Sequence, residues 1–163
     1  MKSIWAPWRM EYIASEKDAR ENKCFLCIEP ATDETSLVLA RKQTAFVVMN
    51  HYPYANGHVM VVPVRHVGKI DELSDGELLD MMGLVRVLSS LLRETIHAEG
   101  LNIGINMGKA AGAGLEEHLH IHVVPRWVGD TNFMPVLGET KVISEHLYET
   151  YRKLKEKVHE KLL

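Results

Sequence analysis

The stretch behind Ser74 does most to limit what this chain can fold into. Ser74 with Glu77 three residues later is a capping-box signature, and after it Leu78, Met81, Met82, Val85, Leu88, Leu92 and Ile96 recur at helical spacing. The pattern predicts one long central helix with an apolar stripe, stopped at Gly100. Such a stripe must be buried against another element, and the segments on either side read as strands. Residues 37–50, LVLARKQTAFVVMN, predict two strands around a polar turn, and Asn56-Gly57 turns the chain into a third strand, HVMVVPV. After the helix come a strand at 101–106, LNIGIN, a Gly/Ala-rich loop, MGKAAGAGLEE, and a strand within EHLHIHVVP. Connections this short leave no room for repeated βαβ crossovers. The expected class is therefore α+β, an antiparallel sheet with its helices segregated to one side.

The ends of the chain are simpler. Over residues 139–163, Val142, Leu147, Tyr151, Leu154 and Val158 sit among many charges, which predicts a closing C-terminal helix with one apolar face. Residues 1–23 carry Trp5, Pro7, Trp8 and Tyr12 ahead of the charged run SEKDARENK and are expected to form an N-terminal arm. At 163 residues, 1–163 is expected to be a single domain. A hydrophobic content of 46% and a charged content of 25% are ordinary globular values. The net charge of -3, with no block of Lys or Arg, offers no footprint for a long nucleic acid or an anionic membrane, although a small anion held by local groups is compatible with it. No apolar run approaches the roughly 18 residues that span a bilayer, and MKSIWAPWRMEYI has no signal-peptide core, so the cytoplasm is the expected location. The only two cysteines, Cys24 and Cys27 in KCFLCIEP, are too few for a disulfide framework and have the spacing of half a metal site.

In EHLHIHVVP, His118, His120 and His122 alternate with Leu119, Ile121 and Val123. On a strand this puts the imidazoles on one face and the aliphatic side chains on the other. Three readings follow: polar residues on the wet side of a sheet, ligands of a metal, or a nucleophile with its helpers. Positions i and i+4 on a strand lie about 13 Å apart, so at most two of the rings can share one ion. A neutral imidazole nitrogen can attack phosphorus and form a phosphoramidate, with neighbouring His residues fixing its tautomer and hydrogen-bonding the phosphate oxygens.

HLHIHVV resembles the His, apolar, His, apolar, His, apolar, apolar motif of the histidine triad (HIT) superfamily of nucleotidyl hydrolases and transferases. The resemblance extends over most of 24–127: CFLC is similar to the family's frequent CxxC, NHYPYANGH to its nucleotide-binding strand pair, VVPVRH to a stretch ending in a His, and INMGKAAGAG to its phosphate-binding loop. PRWVGDTNFMPV and WAPWRMEYI are similar to the subgroup of diadenosine tetraphosphate phosphorylases and Fhit-like dinucleoside polyphosphate hydrolases.

This resemblance implies a HIT-like fold and specific roles. His120 would be the nucleophile that takes a nucleoside monophosphate from the α-phosphate, His122 would bond the phosphate or bridging oxygen, and His58 would support them. Asn50 would bind the ribose hydroxyls, while Asn106 and the backbone around Gly112 and Gly114 would hold phosphate oxygens as an anion nest. The loop departs from the family pattern: Ala113-Gly114 stands where many members have Gly-Gln, so backbone N–H groups or Lys109 would have to replace an amide donor. Family members with CxxC bind zinc through residues that map to Cys24, Cys27, His66 and His118, a closed Cys2His2 set that implies a structural zinc and no catalytic cofactor. Free buried thiols are the alternative for the cysteines. Trp127 or Phe133 would stack on a base or pack at an interface. The family's usual homodimer joins sheets edge to edge. The function implied is cleavage of dinucleoside polyphosphates through a nucleotidyl-histidine intermediate; the alternatives are an adenosine phosphoramidase of the same family and a nucleotide-binding regulator with little turnover.

Overall fold

A computed structural model describes residues 24–130 and 144–162. The expected N-terminal arm, Val142 and Phe133 lie outside the described residues. Five strands, β1 (Val38–Arg41), β2 (Ala45–Met49), β3 (Val59–Pro63), β4 (Gly100–Ile105) and β5 (Ile121–Arg126), form one sheet in the order β1-β2-β3-β5-β4. Every neighbouring pair is antiparallel. Among the described residues two α-helices, α1 (Asp75–Ile96) and α2 (Leu147–Leu162), complete an α+β fold.

The sheet is covered on both faces, which explains why FVV and VMVV read as continuous apolar runs rather than alternating ones. Val47, Met49, Val59, Val61, Ile121 and Val123 join Leu84, Leu88, Leu91 and Leu92 of α1 and Leu154 and Val158 of α2 in the main core. The intervening residues Phe46, Val48, Met60 and Val62 face the other way and pack with Leu26 and Val38. Successive side chains thus serve two different cores.

Helix α1 starts as its sequence predicts. The Ser74 side chain accepts from Glu77 N–H and the Glu77 carboxylate accepts from Ser74 N–H, satisfying two donors that a helix start otherwise leaves open. Its buried stripe differs from the expected one: Met82 is exposed, Leu84 and Leu91 are buried, and Leu78 and Ile96 are half-buried. The helix also ends before Gly100, because His97 at φ 54 adopts the left-handed capping conformation and its N–H bonds Leu92 C=O. Gly100 instead begins β4. Helix α2 begins at Leu147 and buries Tyr151, Leu154 and Val158.

The two edges of the sheet are finished differently. A register shift between Val38 and Ala40 in β1 turns the Val38 carbonyl out of the ladder, and α2 satisfies it with the Tyr151 hydroxyl at 3.2 Å and Lys155 Nζ at 2.8 Å. At β4, the central residues Asn102, Ile103 and Gly104 are exposed, and no described strand pairs with its outer side.

Candidate active site

The histidine segment enters the sheet later than its alternation suggests. The ladder starts at Ile121, so His118 and His120 precede β5, and Leu119 N–H is held by Val67 C=O at 2.7 Å. The alternation of faces nevertheless holds. Leu119, Ile121 and Val123 enter the main core, while His122 sits opposite Met60 of the second apolar cluster. His118 and His120 are buried and His122 is half-buried, so this is no solvent-washed polar face.

In each ring at least one nitrogen has a partner whose chemistry fixes where the proton sits. His120 Nδ1 lies 2.8 Å from the carbonyl of His118. A carbonyl can only accept, so Nδ1 carries the hydrogen and Nε2 carries the lone pair. Burial lowers the pKa of His120, which keeps that lone pair unprotonated. The backbone N–H of Tyr54 donates to Nδ1 of the fully buried His58 at 3.0 Å. His58 therefore carries its hydrogen on Nε2, which lies 3.0 Å from His122 Nδ1. His122 accepts there, and its own hydrogen must be on Nε2. The rings of His120 and His122 meet edge to face with centroids 4.7 Å apart, so a ring with an unprotonated Nε2 stands beside one that carries Nε2–H.

His118 is turned to other work. Its Nε2 donates to Pro63 C=O at 2.9 Å, leaving Nδ1 directed at Cys24 Sγ, 3.3 Å away, and Cys27 Sγ, 3.7 Å away. His66 Nδ1 lies 3.3 Å from Cys27 Sγ. One ligand atom from each of Cys24, Cys27, His66 and His118 falls within 4.8 Å of all the others, so the four can hold a metal ion. The donor set fits zinc: tetrahedral bonds of about 2.0–2.3 Å imply ligand-to-ligand edges of about 3.3–3.8 Å. A ligand His whose second nitrogen donates to a backbone carbonyl is also the usual support for a bound metal. Burial raises the Cys24 thiol pKa and lowers that of His118. The triad thus contributes one ring to the candidate metal-ligand group, within the limit of two set by strand geometry.

The loop that carries His66 is held by Arg65, which the sequence did not single out, and by Glu77, expected only as a helix cap. Arg65 donates from Nε and Nη2 to the buried Glu77 carboxylate, at 2.9 and 2.8 Å, and from Nη2 to Glu72 C=O. This guanidinium, with Ser74, holds the Glu77 carboxyl down at about 2. Gly68 passes so close to the triad approach that a Cβ there would lie 2.5 Å from the Glu116 carbonyl oxygen.

The remaining expected site residues occupy loops. Asn50 closes its own turn, with N–H donating to His58 C=O at 3.0 Å and Oδ1 accepting from Tyr52 N–H at 2.9 Å. Asn106 is half-buried directly after β4, and Gly114 is exposed. Gly112, at φ 81, takes the left-handed conformation after a short 3-10 turn, Lys109–Ala111. The Lys109 side chain is 90% exposed and pairs with Glu116, whose carboxylate also accepts from Lys109 N–H. Trp127 packs against the main core. Tyr54 is the clearest omission, because the sequence gives no sign that its backbone and ring would meet His58.

Residues 31–128 match the HIT domain. Over 161 residues the chain is 38% identical to a Mycobacterium tuberculosis protein named AP-4-A phosphorylase, covering 94% of this chain and 83% of the relative. A Schizosaccharomyces pombe bis(5'-nucleosyl)-tetraphosphatase (asymmetrical) is 34% identical over 95 residues, 58% of this chain and 52% of that one. Among solved structures, a Zn-bound histidine triad family protein from Mycobacterium smegmatis superimposes with a TM-score of 0.69 at 25% identity, covering 85% of this chain and 94% of its own. With the domain match running through the triad and the sheet that presents it, and with 38% identity to the M. tuberculosis relative, the chain belongs to the HIT domain family.

Proposed function

We propose that this protein cleaves dinucleoside polyphosphates at an α-phosphate, passing a nucleotidyl group through His120. The observation that carries the proposal is the bond from His120 Nδ1–H to His118 C=O, which commits the Nε2 lone pair of a buried, neutral imidazole to attack. The names of the M. tuberculosis and S. pombe relatives support the substrate class. His120 Nε2 forms a bond to the α-phosphorus as the anhydride P–O bond breaks, and the electron pair leaves with the departing polyphosphate. The Nε2–H of His122 donates to a phosphoryl oxygen as charge gathers on it. Water or inorganic phosphate then attacks the same phosphorus and frees the imidazole.

The other site residues take subordinate roles in this reading. Asn50 offers its Nδ2 group to the ribose hydroxyls, its Oδ1 being engaged by Tyr52 N–H. Asn106 and the backbone at Gly112 and Gly114 receive the phosphates. A zinc ion held by Cys24, Cys27, His66 and His118 would act as a structural crosslink. Because the His118 carbonyl also fixes the His120 tautomer, the same residue links that crosslink to the nucleophile. Residues 1–163 act as one domain in the cytoplasm, whose reducing conditions suit the two thiols. A second copy joins through the open edge of β4.

Incubation with diadenosine tetraphosphate, with and without inorganic phosphate, tests the activity. ADP formed only with phosphate identifies a phosphorylase, and AMP with ATP in its absence identifies a hydrolase. His120→Ala abolishes either, by at least about 10⁴-fold. Turnover of adenosine phosphoramidates alone, or tight nucleotide binding without turnover, would overturn the proposal in favour of a phosphoramidase or a regulator.

A further inference from the structure

We infer that Tyr54 is a positioning residue for phosphoryl transfer, holding the proton arrangement of the His58–His122 pair with its backbone N–H and its ring. The inference rests on His122 acting as the donor to phosphate.

The loop before β3 is built to aim Tyr54. Asn50 N–H reaches across to His58 C=O, Tyr52 N–H bonds Asn50 Oδ1, and His58 N–H bonds Ala55 C=O, so the segment folds back on its own start. Gly57, at φ +70, makes the return, and a Cβ there would lie 2.5 Å from Ile96 Cδ1 of α1. Asn56 Oδ1 receives the hydroxyl of the buried Thr150 from α2 at 2.9 Å. Thus held against both helices, the loop points the Tyr54 N–H at His58 Nδ1, 3.0 Å away.

An amide N–H cannot surrender its proton to imidazole. While that bond lasts, the His58 tautomer with hydrogen on Nδ1 would set one N–H against another. His58 therefore remains a donor through Nε2, and His122 remains an acceptor through Nδ1 with its own hydrogen on Nε2. The phenol ring adds a lateral restraint. It stacks on His58 with centroids 4.7 Å apart and planes 28° apart, and leans on His122 at 5.7 Å and 38°. A flat face against both rings limits their rotation and shields the bond between them from water. The pair is a lock on a donor's direction, because an amide at its far end cannot complete a proton wire.

Three proteins test this: wild type, Tyr54→Phe and Tyr54→Leu, each as the full chain with its metal content measured. Imidazole ¹⁵N spectra of the wild type, with no substrate, should give His58 and His122 as single neutral tautomers with hydrogen on Nε2. Hydrogen on His58 Nδ1 in the wild type would overturn the inference without any variant. Tyr54→Phe should keep the spectra, and kcat and KM within about twofold, since the ring remains. Tyr54→Leu keeps the amide N–H and so should keep the tautomers, but with the flat ring gone the His58 and His122 rings should turn more freely and kcat should fall roughly ten- to a hundredfold, with KM little changed. A raised KM at full kcat would make Tyr54 a substrate contact instead, and a Phe variant as damaged as the Leu variant would refute the role of stacking. Kinetics are read with diadenosine tetraphosphate. If that substrate class is wrong, the kinetic arm fails in the wild type while the spectra still decide the inference.

Discussion

His118 and His122 stand four residues apart on one face, yet they differ in nearly every chemical respect. His118 is buried, gives its Nε2–H to Pro63 C=O, and turns Nδ1 to two sulfurs. His122 is half-buried, receives His58 at Nδ1, and carries its hydrogen on Nε2, its ring edge to face with that of His120. Both present the Nε2–H tautomer, but one spends that hydrogen on the backbone and the other, in the proposed mechanism, gives it to phosphate. Residue type sets what an imidazole can do; the partner of its second nitrogen sets what it does.

Removing ligands from the His118 end should produce the largest effect. Cys24→Ser should lose most bound zinc by elemental analysis and lower stability by several kcal/mol, since metal binding at such a site contributes directly to folding. Undiminished zinc would remove the Cys2His2 proposal. At the other end, His58→Phe keeps a ring but removes the donor to His122. It should reduce kcat by about 10²-fold while zinc content stays unchanged, and a parallel loss of zinc would mean that the two ends are not independent.

Two smaller changes address the connection between the ends. Gly68→Ala forces a Cβ toward the Glu116 carbonyl oxygen at 2.5 Å, where backbone must give way. Denaturant unfolding should register a loss of about 1–3 kcal/mol, with kcat reduced because the triad approach shifts. Glu77→Gln weakens the Arg65 anchor behind His66 and costs about 1 kcal/mol near neutral pH. The Glu77 carboxyl lies at about 2 in the folded protein against an ordinary 4.5. Its stabilisation is thus present above 4.5 and lost as pH falls toward about 2. The variant should lose that part of the acid slope in thermal melts, and an unchanged slope would reject the ion pair as its source.

Much of this arrangement was legible in the sequence because it rests on periodicity. Alternation in LHIHV assigns faces even where the ladder has not begun, and the Ser74–Glu77 pair marks the helix start. The apolar stripe was less reliable: Met82 fits a helical spacing count, but its angular position places it in solvent. Gly100 looked like a stop, although His97 supplies the left-handed cap. Contacts made by backbone groups left almost no trace. Any residue has an N–H, so nothing in Tyr54 announces a bond to His58, and nothing in Pro63 announces that its carbonyl holds His118. Arg65 and Glu77 are ordinary surface types whose pairing appears only when β3 is laid beside the start of α1.

The bulge in β1 also bears on how a second chain could meet that margin of the sheet. With the Val38 carbonyl taken by Tyr151 and Lys155, a strand arriving there would find one of its acceptors already engaged by the chain itself. If two copies were to pair through β4, that engaged acceptor would disfavour further strands at either end of the joined sheet.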